Sequence, residues 1–108
     1  MKKTYNKLVR DNIPSIIEKN GGIPTTRILD DKEYKKELEN KLLEEYKEVL
    51  GTDNKTDRLE ELADMLELIS ALAKVEGSSL EEVIEIAKIK ANKRGGFDKK
   101  IYLESVEE

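Results

Sequence analysis

Apolar residues recur along this chain at helical spacing and are cut into segments by caps, prolines and glycines. Between Asp30 and Gly51, Tyr34, Leu38, Leu42, Tyr46 and Val49 form one stripe at about 100° per residue, which predicts a helix over 32–50. Asp30 or Asp31 stands as its cap and Gly51 as its stop. From Thr56 or Asp57, the latter with Glu60 in a capping-box arrangement, Leu59, Leu62, Met65, Leu66, Leu68, Ile69, Leu72 and Val75 cover more than half of a second wheel before Gly77. That helix should be central. Ser79 with Glu82 opens a further helix that runs to Arg94, where Gly95 and Gly96 break it. Upstream, Asn12 as cap, Pro14 in the first turn and the Gly21–Gly22 stop predict a short helix over 13–20. "IPTTRIL" lacks a helical repeat and reads as an extended connector, a short strand or a plain loop. The pattern as a whole predicts one all-α domain over residues 1–108, an antiparallel bundle of about four helices.

Composition narrows the chemistry. Of 108 residues, 37% are hydrophobic and 41% charged, with a net charge of −4 and the two signs interleaved, so no broad basic face is offered to duplex nucleic acid. Without cysteine or histidine, thiolate and imidazole are excluded as nucleophiles, bases and metal ligands. Carboxylates, amines, guanidinium groups and hydroxyls remain. The N-terminus has no apolar core of the length a signal peptide needs, and no run approaches a membrane span, so a cytoplasmic location is expected.

The informative departure from helical patterning lies in "LLEEYKEVLGTDNKTDRLEELADMLEL". On the wheels Glu45 falls inside the apolar stripe, with Glu48 at its edge and Glu44 further round, while Glu61 lies within the arc of the next helix and Asp64 beside it. Residues three apart on a helix are neighbours, and a short loop makes consecutive helices antiparallel. Two pairs, Glu45 with Glu48 and Glu61 with Asp64, are thus expected at one level of a hairpin. Carboxylates that close repel, so either protons or a cation must sit among them, and with oxygen ligands alone the fitting ion is Mg²⁺, with Mn²⁺ accepted. The plain alternative is that these acids are solvated and pair with Lys36, Lys41, Lys47 or Arg58.

At these residues the chain resembles a known family. "EEYKE" and "EELAD", with twelve residues between Glu48 and Glu61, are similar to the EExxE and ExxD signature of the MazG-like all-α nucleoside triphosphate pyrophosphohydrolases. The opening "YNKLVRDNIPSII" and the late "KIKANKRGGF" resemble the corresponding segments of its phosphoribosyl-ATP pyrophosphohydrolase-like branch, except that Asn12 stands where lysine is expected. The likeness spans Tyr5 to Phe97. It implies Mg²⁺-dependent hydrolysis of a nucleoside triphosphate or related nucleotide to the monophosphate and pyrophosphate, with a house-cleaning role toward non-canonical nucleotides as one form of it. Glu45, Glu48, Glu61 and Asp64 would be the metal ligands, and Glu44 and Glu45 the catalytic carboxylates, Glu44 as an acid behind the ligands, an alternative ligand or the base that helps ionise the attacking water.

The same resemblance favours Lys7 and Arg10 as phosphate-binding cations and Lys93 and Arg94 as phosphate or base contacts; beside them, Asn92 is a candidate to meet the base or sugar. Read from the residues alone, Lys7 and Arg10 are charges before a helix, and Lys93 and Arg94 complement a helix C-terminus. The bases are expected to touch triphosphate and the acids to hold metal, as two separate sets. Tyr34 and Tyr46 fall in a helical stripe and read as core or interface, whereas Phe97 covers either a nucleobase or the core. The breadth of the apolar arc from Leu59 to Val75 predicts association into a homodimer or homotetramer. The rival readings are phosphoribosyl-ATP pyrophosphohydrolase itself and a non-catalytic helical module that binds a protein partner.

Overall fold

A computed structural model describes residues 1–108 and is all-helical: α1 (Ile13–Lys19), α2 (Asp31–Leu50), α3 (Lys55–Val75) and α4 (Leu80–Arg94), with no strand. "IPTTRIL" is therefore loop. Local chemistry sets the ends of the helices. Asp30 accepts the Glu33 N–H at 2.8 Å and caps α2, and Ser79 accepts that of Glu82 at 3.1 Å and caps α4. The cap of α3 lies earlier than expected. Asn54 accepts the Asp57 N–H at 2.9 Å, so Thr56 and Asp57 sit inside the first turn rather than before it. Asn12 makes no side-chain cap, because its own backbone is helical, and α1 instead starts with the Ile13 N–H donating to Arg10. Gly77 has φ +76, the left-handed conformation that glycine adopts freely, and turns the chain out of α3.

α2 and α3 form an antiparallel hairpin. At the loop end the Arg58 guanidinium and the Thr52 hydroxyl both donate to the Val49 carbonyl, at 3.2 and 2.6 Å, satisfying an acceptor that the helix end leaves free. At the far end Lys35, near the start of α2, pairs with Glu76 just after α3 at 3.3 Å. Burial marks the inward faces. On α2 it follows Tyr34, Leu38, Leu42, Glu45 and Val49, and on α3 it follows Glu61, Asp64, Met65, Leu68 and Leu72. Tyr46, expected in the inward stripe, is 48% exposed. The inward position at that level belongs to Glu45, a carboxylate where a leucine would pack.

The remaining helices stand largely apart. α4 packs only against α3, close to the turn, and every residue from Glu81 onward is exposed; α1 packs against no other helix. The chain has a radius of gyration of 18.6 Å, where a compact domain of this length has about 13 Å. It exposes 10108 Å², against about 6,100 Å² for a compact monomer of its mass. One chain builds the hairpin of a bundle and leaves the rest of its apolar surface open. No helix is long and apolar enough to cross a membrane.

Candidate metal centre

The short loop Gly51–Asn54 sets α2 against α3 so that the two acidic pairs meet. One carboxylate oxygen each from Glu45, Glu61 and Asp64 lie within 4.8 Å of one another. Glu45 is only 9% exposed, and its Oε2 and the Oε2 of Glu61 are buried with no hydrogen-bond partner. A buried carboxylate oxygen without a partner is costly unless a proton or cation joins it. Glu48 stands beside both residues on the exposed edge of α2, and Glu44, fully on the solvent side, takes no part in the cluster.

The electrostatics follow from this crowding. Burial first, then the hydrogen bonds that protonated Glu45 donates to Glu61 and Glu48, then the charges of Glu48 and Asp64, push Glu45 up from 4.5 to about 7. Glu61 is pushed up as well, chiefly by the hydrogen bond it donates to Glu48 when protonated, while its hydrogen bond with Glu45 acts in the opposite sense. Without a cation Glu45 keeps its proton toward neutrality. None of Lys36, Lys41, Lys47 and Arg58 pairs with the four acids, since the chain's ion pairs are Arg10–Asp64, Arg27–Glu33 and Lys35–Glu76. The solvated-pair alternative thus lacks the partners it named. An all-oxygen donor set with orphaned, buried carboxylate oxygens fits a hard divalent cation.

The basic residues divide into two groups. Arg10 reaches the cluster, its guanidinium donating to Asp64 Oδ1 at 2.8 Å, so bases and acids are not the separate sets expected from the sequence. Nothing local signals this pairing between residues 54 apart. Lys7 lies 5.7 Å from the centre of the Tyr5 ring, which Lys3 also approaches, at 5.2 Å. Asn92, Lys93 and Arg94 lie at the exposed end of α4, and no hydrogen bond or ion pair joins them to the acids. There Gly95, at φ +84, turns the chain so that Arg94, Phe97, Lys99 and Lys100 line one shallow cleft.

Set against models of known protein families, curated proteins and solved structures, the chain matches none of them.

Proposed function

We propose that the chain is a Mg²⁺-dependent nucleoside triphosphate pyrophosphohydrolase of the MazG-like all-α type, releasing pyrophosphate and the monophosphate. The observation that supports this most is the pair of buried, unpartnered oxygens, of Glu45 on α2 and Glu61 on α3, that meet Asp64 between the two helices. Glu45, Glu61 and Asp64 hold the ion, with Glu48 completing the set from the edge of α2. Bound there, Mg²⁺ neutralises phosphate charge and makes a water ligand more acidic. Glu45 acts as a ligand, and Glu44, one position before it on the exposed side and outside the ligand cluster, is the free carboxylate that accepts the water's proton. The attacking oxygen forms a bond to phosphorus as the anhydride bond to pyrophosphate breaks. Arg10, Lys7 and, from the far end of α4, Lys93 and Arg94 supply cations for the triphosphate, with Asn92 toward the base or sugar. Phosphoribosyl-ATP as substrate would use the same site, whereas a non-catalytic partner-binding module would leave it unused. Pyrophosphate release across a panel of nucleotides that includes phosphoribosyl-ATP, with Mg²⁺ and then with excess chelator, decides among these. Release is expected with the metal and not without it, and silence toward every nucleotide refutes the enzyme.

A second copy of the chain belongs to the same proposal. Leu43, Tyr46 and Leu50 on α2, and Leu59, Leu62 and Leu66 on α3, are exposed. Each set lies roughly 120° round from its inward stripe in the same rotational sense, which in an antiparallel pair puts both on one side of the hairpin. The chain exposes about 4,000 Å² beyond the compact expectation, more than its share of a typical obligate interface. A homodimer, or a pair of dimers, covers it. It also brings a neighbour's surface to the acidic hairpin, where a single chain leaves its own α4 cations without a link. Sedimentation at micromolar concentration should give a mass of two or four chains, falling toward one in a Leu62→Asp, Leu66→Asp variant. A monomeric wild type contradicts this assembly.

A further inference from the structure

Arg10 makes the one hydrogen bond or ion pair that joins residues 1–22 to the helical hairpin, and it makes it to a member of the acidic cluster. The pair is exposed on both sides, 56% for Arg10 and 41% for Asp64, so water competes with it and it exchanges readily. A guanidinium keeps its charge at any physiological pH. The buried oxygens of Glu45 and Glu61 have no such partner, so the guanidinium compensates only the exposed rim of the cluster.

We propose that Arg10 is a built-in competitor of the divalent cation at Asp64, holding that carboxylate in the metal-free protein and moving to substrate phosphate once the ion takes its place. This rests on the reading of Glu45, Glu61 and Asp64 as a divalent-cation site. An ion bound within reach of all three carboxylates places two positive charges beside the Asp64 carboxylate that Arg10 now holds. Ion and guanidinium then draw on one carboxylate and repel each other. The displaced side chain presents a planar fork of donors matched to a pair of phosphate oxygens, and it is already tethered at the mouth of the site. Phosphate capture is thereby tied to metal loading. Without the ion, Arg10 is occupied at Asp64; with it, Arg10 is free for an anion.

Titration calorimetry with Mn²⁺ alone, and then with inorganic pyrophosphate on the Mn²⁺-loaded protein, tests the exchange in the wild type, Arg10→Gln and Arg27→Gln. Arg27 is paired with Glu33 away from the cluster, so its variant removes the same charge without touching Asp64. Arg10→Gln should bind Mn²⁺ about fivefold tighter than wild type and pyrophosphate about tenfold weaker, while Arg27→Gln changes neither. Mn²⁺ affinity in Arg10→Gln equal to or below that of wild type overturns the competition, as does an equal gain in Arg27→Gln, which would mark a bulk charge effect. Unchanged pyrophosphate affinity overturns the transfer to phosphate. If the wild type binds Mn²⁺ and Arg10→Gln binds it no tighter, the cation site stands and the exchange alone is wrong. If neither protein takes up Mn²⁺, the site is wrong and the exchange falls with it.

Discussion

Glu45→Gln is expected to stabilise the metal-free protein at pH 8, to abolish its thermal response to Mg²⁺, and to lower hydrolysis by about two orders of magnitude or more. The native state keeps a proton on Glu45 up to about 7, whereas an ordinary glutamate releases it near 4.5. Between those values the native state binds more protons than the unfolded state, so stability falls as pH rises through the window. The full loss is present above pH 7 and amounts to at most about 3 kcal/mol. Glutamine has the same shape and no proton to lose, so its stability should fall less across the window, with Glu61 supplying what slope remains, and should lie above wild type at pH 8. Mg²⁺ binds the ionised form, so adding it should restore the wild type at pH 8 and leave Glu45→Gln unmoved. Thermal melts at pH 5 and pH 8, with and without Mg²⁺, measure the first two effects, and pyrophosphate release measures the third. A wild type that melts at the same temperature at both pH values without metal would show that Glu45 carries no buried charge.

Leu38→Ala is expected to remove much of the stability of the fold. Leu38 is 2% exposed, the most buried residue of the chain, and the rest of the apolar core is Val49, Leu68 and Ala73. Deleting such a side chain costs about 2–5 kcal/mol, while small domains hold about 5–15 kcal/mol in all. A core of four residues places this protein toward the lower end of that range. Urea denaturation at fixed protein concentration should show the midpoint collapsing. A change under about 0.5 kcal/mol would mean that stability resides in contacts between chains and not in the hairpin.

The helices were legible because their punctuation is local. Asp30 and Ser79 cap α2 and α4 as the sequence implied, and Gly77 and Gly95 follow the last turns of α3 and α4. The acidic cluster was legible for a related reason: Glu45 and Glu61 break an apolar stripe, and an acid in such a place faces whatever the stripe faces. Two kinds of feature were not. Tyr46 sits about 100° round from Glu45, and a wheel cannot tell which side of a broad stripe faces the partner helix. Asn54 took the cap of α3 from Thr56 and Asp57 because all three lie in one polar run where several starts satisfy the same rule. The contact between Arg10 and Asp64 joins positions far apart in the chain, for which periodicity carries no signal.

The separation of α4 from the hairpin also bears on how the protein folds. α2 and α3 are joined by four loop residues and meet through contacts close in sequence, the kind of structure that forms quickly and without regard to concentration. A fifteen-residue helix such as α4, with almost nothing packed on it, is marginal in water by itself. In the proposed dimer its ordering would belong to the encounter between chains. Under that assembly folding of the hairpin would be first order and completion of α4 second order, so the last helix of each chain would acquire its full stability at a rate set by how many other chains are present.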